Sequence, residues 1–199
     1  MKQLAFLLLI LSLLVSIACK ESDNDGISLL PANGKGEINE VILYRGNTAM
    51  TDGDLGGRVG VDNLCLISAN KPGEKKEFIG FISIDGASDT IGSLPMNNDF
   101  PGHVPIKSKT GKIVANNWDD LMDGTISDTL ANLDVLDSSS DRWWSGGRNG
   151  GDAFNTCVGF TDPTSNNGIY GVADQTGVQW VENTAIGCVN TYFYLCLAY

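Results

Sequence analysis

The chain of 199 residues contains one histidine, His103, and that scarcity narrows the chemistry open to it. A single imidazole leaves no Cys/His zinc cluster and no persuasive Ser/His/Asp order for nucleophilic catalysis. There is no CxxC pair anywhere, which removes a zinc ribbon as well. Basic residues are few, 13 against 24 acidic, for a net charge of −11. A surface that acidic repels a phosphate backbone, so nucleic-acid binding is excluded as an expectation. Prolines number 6 beside 24 glycines, the signature of a turn-rich chain, and 42% hydrophobic residues make it too apolar for disorder. Its length suits one domain of ordinary size.

What the N-terminus does hold is an address. Lys2 is followed by an uninterrupted apolar and small-residue run over residues 4–18 (LAFLLLILSLLVSIA), which ends at Cys19. The run is short of the ~20 residues that cross a bilayer, and its flank and length fit a secretory signal. Ser16-Ile17-Ala18-Cys19 resembles a bacterial lipobox, in which the cysteine sulfur takes a diacylglycerol and becomes the new N-terminus. Leu is usual three places before that cysteine; the Ser16 found here is a departure that spirochaete lipoproteins tolerate. Ordinary signal-peptidase cleavage is the alternative, since Ser16 and Ala18 are also small, and both readings put residue 19 first. We therefore expect residues 1–18 to be a lipoprotein signal peptide and Cys19 to be lipidated.

Export implies an oxidising compartment, where thiols pair. Setting Cys19 aside leaves Cys65, Cys157, Cys188 and Cys196, an even set whose spacing permits three connectivities. Residues 19–37 are polar, charged and punctuated by Pro31, Gly34 and Gly36, as expected of a flexible tether. Their Glu21-Ser22-Asp23-Asn24-Asp25-Gly26 core looks faintly like a calcium loop, but Ala32 stands where the closing acidic ligand belongs.

The domain then occupies residues 38–199. Alternation and β-branching predict a strand over residues 38–45 (INEVILYR). Val61, Leu64, Cys65 and Ala69 recur at helical spacing, which predicts an amphipathic helix from Gly57 to near Asn70 with Cys65 on its buried face. Residues 78–84 (FIGFISI) read as a buried strand. Val104 and Ile106 flank an extended piece, and residues 112–114 suit a hairpin arm. Asn117 reads as the N-cap of a short second helix, WDDLM, stopped by Gly124. Residues 125–152 are mostly polar, as in a surface loop system. Residues 157–160, 169–172 and 178–181 are short strand candidates. In residues 189–199, Val189, Thr191, Phe193, Leu195 and Leu197 alternate onto one face. Two early helices and many later short strands make an α+β domain.

Several motifs now resemble a family. The ending Cys188-Val-Asn-Thr-Tyr-Phe-Tyr-Leu-Cys196, followed by a short apolar tail, is similar to the last cysteine pair of C-type-lectin-like domains, and more closely to that of endostatin. Gly57-Arg58-Val-Gly60-Val-Asp62-Asn-Leu-Cys65 resembles the endostatin helix that carries its first cysteine. Val104-Pro105-Ile106, then Asn117-Trp118-Asp-Asp-Leu121 and Gly124, resemble its middle segment. Trp143-Trp144-Ser-Gly146, a Gly-rich turn and Cys157 match the stretch before its second cysteine. The blocks cover residues 38–199, and within that family the chain most resembles the leptospiral endostatin-like (Len) outer-membrane lipoproteins. The resemblance implies a C-type-lectin-like fold with two helices, many short, mostly antiparallel strands, long loops and nested disulfides, Cys65–Cys196 and Cys157–Cys188. It also implies a non-enzymatic, surface-exposed outer-membrane lipoprotein that attaches to host molecules, with laminin, fibronectin, plasminogen and complement factor H as the partner class.

Departures from that family bound the expectation. Endostatin holds heparin through arginines and zinc through N-terminal histidines, whereas this chain has four arginines, Arg45, Arg58, Arg142 and Arg148, and only His103. Calcium-dependent lectins use a Glu-Pro-Asn or Gln-Pro-Asp loop and a Trp-Asn-Asp strand, and neither is present. Asp162-Pro163 and Trp180-Val-Glu182-Asn183 stand in suggestive places but read as acidic solvated loop. Asp119, Asp120 and Asp123 read as charges at a helix N-terminus rather than an acid/base pair. The run from Gly146 to Gly151 lacks the strand-to-helix context of a phosphate loop. Lys71, Lys75 and Lys76 form a basic island interleaved with Glu74 and Glu77, which makes plain solvent exposure the reading. Trp143, Trp144 and Arg148 remain as candidate ligand-binding residues, because aromatics and arginine dominate binding hot spots. No catalytic residue, metal ligand or cofactor is expected. The alternatives are a calcium-dependent glycan-binding module and a structural envelope lipoprotein without a host ligand.

Overall fold

The computed structural model describes residues 37–199; the signal segment, Cys19 and the tether up to residue 36 lie outside the described residues. The elements in order are β1 (Val41–Arg45), α1 (Gly57–Leu66), β2 (Phe78–Gly80), α2 (Leu94–Asn97), β3 (Ile106–Ser108) and β4 (Ile113–Ala115). They continue with α3 (Trp118–Met122), β5 (Arg142–Trp144), β6 (Gly168–Val172), β7 (Thr184–Ile186) and β8 (Leu195–Ala198). This is an α+β domain. One sheet has the order β2-β8-β1-β3-β4 and a second the order β5-β6-β7. Among the described strands the β1–β3 pair is parallel and the other ladders are antiparallel.

The larger sheet is buried on both faces, and its central strands are accordingly apolar throughout, VILY in β1 and LCLA in β8. Period-two alternation sends Val41, Leu43, Leu195 and Leu197 into one core, with Phe81, Ile106, Trp143 and Trp180. It sends Ile42, Tyr44, Cys196 and Ala198 into a second core, with Val61, Trp144 and Phe160. Helix α1 covers this second face through Gly57, Val61 and Cys65. Cys65 is bonded to Cys196 in β8, and Cys157 to Cys188, so one bond encloses the other in sequence.

Local chemistry explains most boundaries. Asn117 caps α3 by accepting the Asp120 amide on its side chain, and Gly124 beyond the helix takes φ 99°. Helix α1 stops at Leu66, short of Asn70, because the Ser68 hydroxyl turns back to Gly46 O and Ala69 is left exposed. The strand at residues 78–84 is ladder only to Gly80. The Phe81 amide still bonds Leu195 O, but Ser83 N bonds Ser145 O, so the segment passes from one sheet to the other. Helix α2, which the sequence reading did not include, follows a 3-10 turn at Ile91–Ser93 that Thr90 and Ser93 close with a reciprocal capping box, and Pro95 occupies the first turn of α2.

Three expectations fail. Residues 178–181 form a 3-10 turn at Val178–Trp180 rather than a strand. Residues 157–160 form a single turn in which Cys157, Val158, Gly159 and Phe160 all have φ between 50° and 68°, the left-handed region. Thr156 caps this turn by accepting the Gly159 amide at 3.0 Å, and its ends are held by the Cys157–Cys188 bond and by buried Phe160. In residues 125–152, Ile126, Leu130, Leu133, Val135 and Leu136 are buried in the first core, so this segment is pinned down rather than a free surface loop. Along residues 189–199, Phe193, Leu195 and Leu197 do share a core, while Val189 and Thr191 are exposed.

Candidate functional site

The ladder register fixes two ends of the larger sheet. Ile42 near the start of β1 and Phe78 at the start of β2 both stand opposite Ala198, and the amides of Lys76 and Glu77 donate to Tyr199 O. Glu37, Ile38 and Asn39, where the described chain begins, share a cleft with residues 74–77 and Tyr199 at that end. The segment leaving β2 at the other end reaches Ser83, which is fully buried. The Ser83 hydroxyl accepts the Ile91 amide at 2.9 Å and donates to Gly151 O at 3.1 Å in the turn of a hairpin spanning residues 146–154, while the Ser83 amide donates to Ser145 O at 2.8 Å beside its base.

That hairpin is closed by Arg148 N to Asp152 O (2.7 Å), Gly151 N to Arg148 O (2.9 Å) and Phe154 N to Gly146 O (3.0 Å). Gly146 has φ 60° and its Cα faces Ser83 O so closely that a side chain has no room. At the tip the Arg148 guanidinium lies 3.3 Å from the centroid of the Phe154 ring. Arg148 Nε is 3.8 Å from a Glu182 oxygen, and the Asn149 amide donates to the other at 2.9 Å. Arg148 and Phe154 are each about half exposed. A planar cation stacked on an aromatic and steadied by a carboxylate is an ordered amphipathic surface, the kind that buries against a partner at low entropic cost.

Trp143 and Trp144 are not part of that surface. Both are fully buried, which overturns their reading as ligand-binding residues. Successive β5 side chains point to opposite faces. Trp143 stacks on Phe81 and Trp180 and donates its indole N–H to Trp180 O at 2.9 Å. Trp144 packs on Phe160 and Tyr192 in the other core and donates to Thr51 O at 3.0 Å. Phe154 was missed in the sequence because nothing local distinguishes an exposed phenylalanine from a core one; its neighbour Arg148 was the only signal.

The other charged candidates are occupied internally. Arg58 donates to Asp89 at 2.7 Å, to Asp62 at 3.4 Å, and to the carbonyls of Gly80 and Ile82 at 2.7 Å each. It thereby ties α1 to the β2 segment, which gives the Gly57–Cys65 motif a structural purpose. Burial pushes the Asp62 carboxyl up, against the opposing effect of the Gly80 amide. Arg45 pairs with Asp137 at 2.6 Å and lies over Phe193, and Arg142 lies over Tyr170. In the basic island, Lys75 pairs with Glu40 at 3.3 Å and Lys71 donates to Leu66 O at 2.8 Å. Lys107 also pairs with Glu40, at 3.0 Å, and its hydrogen bond is the main cause holding that carboxyl below its usual range.

Asp120 accepts from Asn116, and Asp123 from Thr125, as local caps around α3. Asp162 is spent on the Thr164 amide and hydroxyl, with the hydroxyl the main cause of its lowered pKa, while Glu182 is spent on Arg148 and Asn149. Among the described residues no group of three His, Cys, Asp or Glu side chains is arranged to hold a metal. His103 lines an open cleft of about 400 Å³ with Asn117, Trp118 and Asp119, and no hydroxyl or thiol side chain lines that cleft to serve as a nucleophile. The sequence matches no family model and no curated protein.

Proposed function

We propose that this is a lipid-anchored surface protein whose C-type-lectin-like, endostatin-like domain binds host extracellular-matrix proteins or complement regulators. Laminin, fibronectin, plasminogen and factor H are the class of partner, and the binding is protein–protein recognition without catalysis. The observation that carries this reading is the exposed Arg148–Phe154–Glu182 cluster on a hairpin anchored at Ser83. It lies at the end of the larger sheet opposite to Glu37–Asn39, where the described chain begins. Long loops on a disulfide-stapled frame with the chain entering at the far end are what a C-type-lectin-like domain presents. The net charge of −11 favours basic patches on partners and binding that weakens with salt.

Arg148→Ala and Phe154→Ala test the site in the oxidised 20–199 fragment, read by binding to those four immobilised proteins. Each variant keeps the thermal midpoint of the wild type and weakens binding about tenfold. Unchanged binding by both variants, at a midpoint equal to wild type, would remove the hairpin as the site.

A further inference from the structure

We propose that Asn149, at the tip of the Arg148 hairpin, is a site of spontaneous modification, where the chain converts asparagine to aspartate and isoaspartate and so changes the charge and shape of the tip. Asparagine followed by glycine is the dipeptide most open to this reaction, because glycine has no side chain to shield its nitrogen. The chain has three such pairs, at 33–34, 149–150 and 167–168, and the first lies outside the described residues. Asn149 and Asn167 are both exposed, so exposure does not choose between them.

The difference lies in the peptide group that must turn. Asn149 and Gly150 are the central residues of a turn closed by Gly151 N to Arg148 O, and Gly150 takes φ 88°, as the third position of a type II turn requires. Among the described residues neither Asn149 O nor Gly150 N makes a hydrogen bond, and the Asn149 carboxamide makes none where it rests against Gly124. The ends of the turn are held, by the Asn149 amide on Glu182 and by Gly151 on Arg148, while the peptide between them rotates without breaking a hydrogen bond. In the other pair that peptide is pinned. Asn167 O accepts the Cys157 amide at 3.1 Å, and Gly168 is buried at the start of β6, paired with Ile186.

The Gly150 nitrogen attacks Asn149 Cγ to form a succinimide; the new N–Cγ bond replaces the bond to the carboxamide nitrogen, which leaves with the displaced proton as ammonia. Water then opens the ring at the side-chain carbonyl, giving aspartate, or at the main-chain carbonyl, giving isoaspartate. The rate rises with pH, because the attacking nitrogen must shed its proton. Either product is ionised at neutral pH and stands beside Glu182, whose oxygens already meet Arg148 and the Asn149 amide, so like charges now repel there. Isoaspartate also adds a methylene, about 1.5 Å of main chain, to a turn closed by one short hydrogen bond, and so opens it.

The test holds the oxidised 20–199 fragment at mildly alkaline pH, digests samples at mildly acid pH, and follows the acid forms at each asparagine by mass and by isoaspartate labelling. Asn149 is expected to convert several-fold faster than Asn167 in the folded chain, and the two to convert at similar rates once the chain is reduced and unfolded in urea. Exchange of the Gly151 amide with solvent, read by NMR, should be several-fold faster in converted protein than in fresh. Asn149→Gln, whose longer side chain closes a ring far more slowly, should keep the slow exchange through the same incubation. Equal conversion of Asn149 and Asn167 in the folded chain, or no conversion at Asn149, would overturn the inference, and so would equal Gly151 exchange before and after conversion. None of these readouts uses a host protein, so they stand or fall apart from the binding reading. One consequence does rest on that reading: converted protein should bind the partner of fresh protein several-fold more weakly, and equal binding by the two would overturn that consequence.

Discussion

Trp143 and Trp144 are adjacent in sequence and lie in different cores, which makes them the sharpest probes at the scale of the residue. Trp143→Ala removes a buried ring and leaves Trp180 O without its indole donor, so the expected loss is about 3–5 kcal/mol in denaturant unfolding. Arg148→Ala, by contrast, should stay within about 0.5 kcal/mol of wild type, as for a solvent-exposed side chain. Both residues belonged to one expected binding set in the sequence, because hot-spot composition is shared by cores and interfaces. Position separates them: Trp143 lies in β5, both of whose faces are covered, and Arg148 on the exposed hairpin beyond it, and a chain read without its partner strands does not reveal that both faces are covered.

Glu40 supplies a pH prediction at the same scale. Its carboxyl is held below the usual value by Lys107 and Lys75, so its ion pairs contribute stability that is full above the ordinary glutamate range. That contribution is lost as pH falls through the folded value. Glu40→Gln should therefore lower the urea midpoint at neutral pH, with the difference from wild type closing as pH falls below the ordinary glutamate range and through the lower folded value. Asp62 carries the opposite sign: its pKa is raised by burial, so its contribution declines as pH rises out of the acid range. Parallel curves for wild type and Glu40→Gln at every pH would show that Glu40 is not the group that matters.

Among the elements, those with local signals were legible and those defined by tertiary contact were not. The Asn117 cap, the Asp-rich first turn and Gly124 located α3 to the residue, since each acts within a single helical turn. The turn at Cys157–Phe160 gave no such signal. A Cys-Val-Gly-Phe run has β propensity, and it is the Thr156 cap, the Cys188 bond and the Trp144 contact that hold it left-handed. Val158 is β-branched, has φ 57° and is mostly exposed, so it bears the strain of that backbone without burying its side chain. Relief of this strain should make Val158→Gly more stable than wild type by about 1 kcal/mol, read as a raised thermal midpoint. A lowered midpoint would mean that the side chain makes contacts that outweigh the backbone strain.

At the scale of the whole molecule, the two disulfides divide the work of holding the fold. Cys65–Cys196 joins residues 131 apart and staples α1 to β8, while Cys157–Cys188 spans 31. In the loop-entropy account, losing the first costs about 5 kcal/mol and losing the second about 4. Paired Cys→Ala replacements should preserve that order in their denaturant midpoints; the reverse order would mean that the hairpin end depends on its staple more than the sheet does. Cysteine parity was readable from the sequence, whereas spacing alone left three pairings; the nested pairing that the family resemblance implied is the one the structure has.

The central claim is that a folded, tethered domain recognises a host protein at its far end through charge and packing, without a metal. Binding of the oxidised 20–199 fragment to immobilised laminin, fibronectin, plasminogen and factor H, at low and high salt and with and without a chelator, tests it most directly. The account predicts saturable binding to at least one of the four that weakens with salt and is untouched by the chelator. Loss of binding with the chelator would replace it with a calcium-dependent lectin, and no binding to any of the four by a fragment shown to be folded would contradict it outright.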